Sequence, residues 1–134
     1  MTGALEEALV NTTAYDLNAP LCPEGENYLN YFLNESRRGW CMHYATTTAL
    51  MLRCLGIPTR YVGGYTVRPT VREPSPEVHD YDAHAWVEYY LDGIGWLPLD
   101  LTPQAGYGSD VVQAGGGRGH SHGVHCCPRE RNTR

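Results

Sequence analysis

Apolar and small side chains recur at Ala45, Ala49 and Leu52, and again at Tyr44, Thr48, Met51 and Leu55. That is the i, i+4, i+7 spacing of one broad helix face. It predicts a helix over about 41–55, stopped by Gly56 with Pro58 beyond it. Upstream, Ala4 with Ala8 and Leu5 with Leu9 predict a short helix, Tyr15–Asn18 reads as extended, and Pro20 and Pro23 mark a loop. Tyr28, Leu29, Phe32 and Leu33 form the inner face of a second predicted helix over about 26–35. Downstream the period changes to two. Thr59–Val67 is rich in β-branched and aromatic residues and predicts a strand, with Gly63-Gly64 marking a bulge or a close approach. Residues 68–82, with Pro69, Pro74 and Pro76, form a loop long enough to suggest a function.

Ala83–Tyr90 and Gly95–Asp100 each alternate as strands and are joined through Asp92-Gly93, which predicts an antiparallel hairpin. An odd-length loop centred on Asp92 pairs Glu88 with Trp96, Trp86 with Pro98 and His84 with Asp100. His84 and Asp100 would then oppose each other on one face, with Cβ atoms about 4.5–5.5 Å apart. A two-residue turn would instead set His84 against Leu101 and turn Asp100 away. The first register is the expectation, with the His84–Asp100 face turned toward the helix that begins at Cys41.

Composition narrows the class. The 134 residues are 42% hydrophobic, enough for one domain with a real core. Residues 1–110 carry six Arg against fourteen Asp and Glu, whereas residues 111–134 carry four Arg against one Glu. An acidic body argues against a nucleic-acid partner. Neither a membrane-spanning apolar run nor a signal peptide is visible. The five cysteines (Cys22, Cys41, Cys54, Cys126, Cys127) are odd in number and set no disulfide framework. Residues 1–110 are expected to form the core. Residues 111–134, with Gly115-Gly116-Gly117 and no periodicity, are expected to be a disordered or poorly packed tail.

Cys41 falls at a helix N-terminus, where unpaired N–H groups and the macrodipole favour a thiolate. A thiol there, a histidine on one strand and an aspartate on the next are the parts of a thiol acyl-transfer site. The thiol attacks, the imidazole moves the proton and the carboxylate orients the imidazole. The Cys41 backbone N–H is one candidate oxyanion donor; Tyr15 and Trp40 are candidates for a second, with packing the plainer role for Trp40. His43 is not the base, because i and i+2 do not face each other on a helix; it is expected to line the cleft or the surface. Cys54 is expected to be a small buried hydrophobe. Trp86 and Trp96 are expected in the core or cleft wall, and Asp100 could alternatively cap the turn that follows it. His79, Asp82 and His84 lack a fixed ligand geometry, and the tail set His120, His122, His125, Cys126 and Cys127 reads as unstructured, so no metal and no cofactor is expected.

Four blocks carry a resemblance: Arg38–Ala45, Met51–Arg60, Ala83–Glu88 and Gly95–Pro103. In this order they resemble the core of the transglutaminase-like superfamily, most closely its bacterial members. The resemblance implies a papain-like α+β fold, a cysteine-bearing helix packed on an antiparallel sheet. It also implies Cys41 as nucleophile, His84 as general base and acid, and Asp100 as orienting carboxylate. Asp100-Leu101-Thr102 departs from the family's usual Asp-Pro-Thr or Asp-Ala-Thr while keeping the acid. The implied activity is hydrolase or acyltransferase chemistry on peptide or protein amides, leaning to hydrolysis as in a cysteine protease, with a primary amine as the other acceptor. A catalytically idle protein-binding module is the alternative. The N-terminal, membrane-spanning elements of many bacterial relatives have no counterpart here, which leaves room for a soluble fragment of a larger membrane-associated protein.

Overall fold

The computed structural model describes residues 2–67, 75 and 77–103. Helix α1 (Thr2–Thr12) leads into a short strand β1 (Ala14–Tyr15). Helix α2 (Tyr28–Asn30) widens at once into a π-helical turn (Tyr31–Ser36), followed by β2 (Arg38–Gly39) and the central helix α3 (Cys41–Cys54). Strands β3 (Thr59–Tyr65), β4 (Ala83–Leu91) and β5 (Gly95–Leu99) complete the order, with a 3-10 turn (Asp80–Asp82) before β4. The class is α+β: β3, β4 and β5 form an antiparallel sheet with β4 in the middle, and β1 and β2 pair in parallel as a separate two-stranded sheet.

The helix predicted over about 26–35 starts where Asn27 accepts the Asn30 N–H at 2.9 Å, an N-cap bond. It ends as a π-turn, in which Arg37 N–H donates to Phe32 O at 3.1 Å, and Arg37 sits in the left-handed region with φ 49°. That reversal turns the chain so that Ala14 N–H reaches Arg37 O and Asp16 N–H reaches Gly39 O, each at 2.8 Å. The two-strand ribbon therefore delivers the chain to the first residue of α3.

Two apolar clusters hold the layers together. Cys41, Ala45 and Ala49 of α3 pack on Ala85 and Val87 of β4; Leu9, Phe32, Tyr44 and Leu101 form the second cluster, and Leu99 touches both. The small side chains on α3 let helix and sheet approach closely.

The hairpin register differs from expectation by two residues. Val87 pairs with Leu99, Tyr89 with Leu97 and Leu91 with Gly95, so the three-residue loop is Asp92-Gly93-Ile94, centred on Gly93. Gly93, at φ 81°, is the residue that can take the turn's left-handed conformation. A shift of two preserves the pleat, so His84 and Asp100 stay on the same side as diagonal rather than direct neighbours. The helix lies on the Ala85–Val87 side of β4. His84 stands next to Ala85 at the start of the same strand.

Three further expectations change. Gly63 and Gly64 pair regularly with Ala85 and His84, so there is no bulge. The close approach is the correct reading, since a Cβ on Gly64 would lie 3.0 Å from the Trp86 ring. Cys54 is exposed, because it falls outside the stripe of α3 that faces the core. Trp96 is 41% exposed, lying on the outer sheet surface under the Arg60 guanidinium at 4.3 Å and beside Tyr90.

Gly39 is the tightest of the described glycines: a Cβ there would sit 2.6 Å from both Cβ and Cγ of His43 and 2.7 Å from the Phe32 ring. Gly39→Ala is expected to cost about 1–3 kcal/mol in denaturant unfolding. Gly63→Ala, whose nearest neighbour would be 3.8 Å away, is expected to be neutral or slightly stabilising.

Candidate active site

Cys41 is the first residue of α3 and is 0% exposed. Trp40 before it is extended, with φ −117° and ψ −173°, and its carbonyl accepts the His43 N–H at 2.8 Å. The thiol thus sits at the helix start, where the dipole is positive, as its place after Gly39-Trp40 predicts. It packs in the same cluster as Ala85, the chain neighbour of His84.

His84 and Asp100 are brought together. The His84 Nε2–H donates to Asp100 Oδ2 at 2.5 Å, with the two side chains 1% and 8% exposed. A carboxylate only accepts, which places the proton on Nε2. The other carboxylate oxygen, Oδ1, accepts the Thr102 N–H at 3.0 Å. Asp100 therefore does both things considered for it: it orients an imidazole with one oxygen and caps the following turn with the other. Its chain neighbours Leu99 and Leu101 are anchored in the apolar clusters, so hydrophobic packing holds the carboxylate in place. Trp86 lies stacked beside the imidazole at 6.2 Å between ring centroids.

His43 is not a surface residue. It is 6% exposed and boxed by three aromatic rings, with centroid distances of 5.3 Å to Tyr28, 5.2 Å to Phe32 and 4.3 Å to Trp40. Its Nδ1 accepts the Trp40 backbone N–H at 3.2 Å. Burial pushes its pKa below the ordinary imidazole value. Tyr28, placed by sequence only on the inner face of its helix, belongs to this neighbourhood. Burial first, then Tyr61, Cys22 and Cys41, push its phenol up to about 12, so it stays a neutral donor.

Of the two residues considered as a second oxyanion donor, Trp40 packs against the Cys41 cluster, and its indole N–H is buried without a hydrogen-bond partner. Tyr15 stacks with Tyr44 at 6.4 Å and packs against the second cluster. Of the residues weighed and set aside as metal ligands, Asp82 Oδ2 accepts the His79 backbone N–H at 2.8 Å, and His84 is on Asp100. The histidines and cysteines of the tail lie outside the described residues, as does the expected boundary near residue 110.

Removing the partner of a buried imidazole leaves a polar group unsatisfied. Asp100→Ala is expected to lower unfolding stability at neutral pH by about 1–3 kcal/mol, and Asp100→Asn, which still accepts a hydrogen bond, by less. Equal losses for the two variants would show that the bond contributes nothing.

Comparison with known proteins follows the same lines. The family model described as the transglutaminase-like superfamily matches residues 2–101. A protein-glutamine gamma-glutamyltransferase of Pseudomonas aeruginosa is 43% identical over 94 residues, 68% of this chain and 14% of that protein. An uncharacterised protein of Bacillus subtilis is 32% identical over 98 residues, 69% of this chain and 13% of its own length. Among solved structures, the periplasmic domain of TgpA from Pseudomonas aeruginosa, bound to ethylmercury, is 38% identical with a TM-score of 0.63, covering 75% of this chain and 36% of that one. The crystal structure of a TGase, 19% identical with a TM-score of 0.53, shares the fold over 90% of this chain and 28% of its own. The chain spans a small part of the length of each relative.

Proposed function

The chain belongs to the transglutaminase-like superfamily, and on that premise we propose that it performs thiol-dependent acyl transfer on amide groups of peptides or proteins, the glutamine carboxamide foremost. Cys41 is the nucleophile, His84 the base and acid, and Asp100 the orienting carboxylate. The observation that carries this reading is the buried His84–Asp100 bond, formed next to Ala85, which packs with Cys41. With Nε2 committed to Asp100, proton transfer falls to Nδ1.

Cys41 passes its proton to His84 as Sγ bonds to the carboxamide carbon. The developing oxyanion takes the Cys41 N–H; the Trp40 indole N–H, a buried donor without a partner, is the candidate for the second place. The C–N bond then breaks, and ammonia leaves with the proton returned by His84. An amine or water next attacks the thioester, its proton goes to His84, and the C–S bond breaks to restore the thiol. The name of the Pseudomonas aeruginosa relative favours an amine acceptor over water. The likeness to a periplasmic domain supports a similar setting within a larger protein; no helix among the described residues is long and apolar enough to cross a membrane.

The absence of exposed surface on Cys41 has two consequences. Substrate entry requires the side chains over the thiol to part, and a closed site protects the thioester from water. The same burial favours a second reading, an idle transglutaminase-like module kept for protein contact. Incubating the protein with a glutamine peptide, with and without a primary amine, and weighing the products decides between them. The expected products are the amine conjugate when amine is present and the deamidated peptide when it is not, both lost in Cys41→Ala. Backbone cleavage would redirect the reading to proteolysis; an unaltered peptide under all conditions would leave the idle module.

A further inference from the structure

We infer that His43 is a positioning residue for Cys41: as a neutral imidazole accepting at Nδ1, it clamps the peptide units on either side of Trp40 and so aims the Cys41 N–H and thiol. The inference rests on the thiol-nucleophile reading above.

The geometry is a modified capping box. In the usual form a Ser or Thr side chain at the N-cap accepts the N–H three residues on, and a Glu or Gln there accepts the N-cap N–H. Here Trp40 has no side-chain acceptor, so its own carbonyl takes the His43 N–H at 2.8 Å, while its backbone N–H goes to His43 Nδ1 at 3.2 Å. The Trp40 carbonyl and the Cys41 N–H belong to one rigid peptide unit. Holding that carbonyl inward turns the Cys41 N–H out of the helix start, where an oxyanion donor must point. The Nδ1 bond fixes the preceding unit, Gly39–Trp40. Gly39 has no room for a Cβ because His43 occupies that space, so the clamp and the glycine are one device.

The clamp works only with Nδ1 bare. A proton there would set a donor against the Trp40 N–H. The groups packed on the ring are Tyr28 and Phe32 from the α2 segment and Trp40 from the cap. Tyr28, the titratable one, is held neutral by a pKa of about 12, so no charge from these rings favours an imidazolium. Burial lowers the His43 pKa, so its contribution to stability is complete above the ordinary imidazole value, about 6.5. It is lost as pH falls through the lower folded-state value.

The test compares His43→Phe, which keeps a ring but has no acceptor, with His43→Asn, whose side-chain oxygen restores an acceptor close to Nδ1. The readout is the Cys41 thiolate, followed against pH by ultraviolet absorbance as the difference between each protein and its Cys41→Ala counterpart. This needs no reagent access and no turnover. His43→Phe is expected to raise the thiolate midpoint by about one pH unit, a tenfold loss of thiolate at a pH below both midpoints, while His43→Asn stays near wild type. An unchanged midpoint in His43→Phe, or equal shifts in both variants, would overturn the clamp. Should His43→Phe fail to fold, nitrogen NMR of the wild-type histidines decides: a bare Nδ1 and protonated Nε2 on His43 at neutral pH support it, and the opposite tautomer overturns it. A clamp that passes in a protein inert toward glutamine peptides would sink the proposed function alone.

Discussion

The seat of α3 on the middle strand of the sheet is the constraint from which the rest follows. Cys41, Ala45 and Ala49 present small side chains to Ala85 and Val87, and small side chains allow close approach. Close-packed interiors tolerate little overpacking, so bulkier residues on this stripe would lift the helix and carry the thiol away from the strand that bears His84. The same packing reaches the carboxylate. Leu99 touches both clusters and Leu101 lies in the second, so Asp100 is held between two anchored neighbours.

Two buried histidines are set to opposite hydrogen-bonding roles by their surroundings. His84 donates from Nε2 to a carboxylate, an arrangement that stabilises an imidazolium when one forms. His43 accepts at Nδ1 inside a box of aromatic rings, an arrangement that disfavours one. Burial is common to both; the partner decides. One imidazole faces a carboxylate and the other a backbone N–H, so the two histidines carry separate tasks.

Much of this was legible in the residues. The period of the apolar positions located α3 and its first residue, and the alternation along β4 and β5 located the hairpin. The register itself was misplaced by two residues, because loop centring rested on Asp92 when Gly93 takes the turn. The side-by-side placement of His84 and Asp100 survived because pleating repeats every two residues. Four features could not be read in this way. Cys54 and Trp96 are types that usually pack inward, but each sits where its element faces solvent. His43 hides a cap behind a residue pair, Trp and His, that the Ser/Thr and Glu/Gln capping pattern does not include. Gly63-Gly64 left a bulge and a close approach open, and only the position of the Trp86 ring shows what approaches.

The central claim is that Cys41, served by His84 and Asp100, forms a thioester with an amide substrate. The most direct measurement is the mass of the protein itself after rapid mixing with a glutamine peptide and acid quenching, followed by tryptic mapping. The fragment Gly39–Arg53 contains Cys41 as its one cysteine, so the site of any adduct is unambiguous. This fragment is expected to gain the peptide mass less ammonia, and the adduct to disappear in His84→Ala. An adduct on Cys22 or Cys54 instead, or one on Cys41 that forms equally well without His84, would contradict the claim.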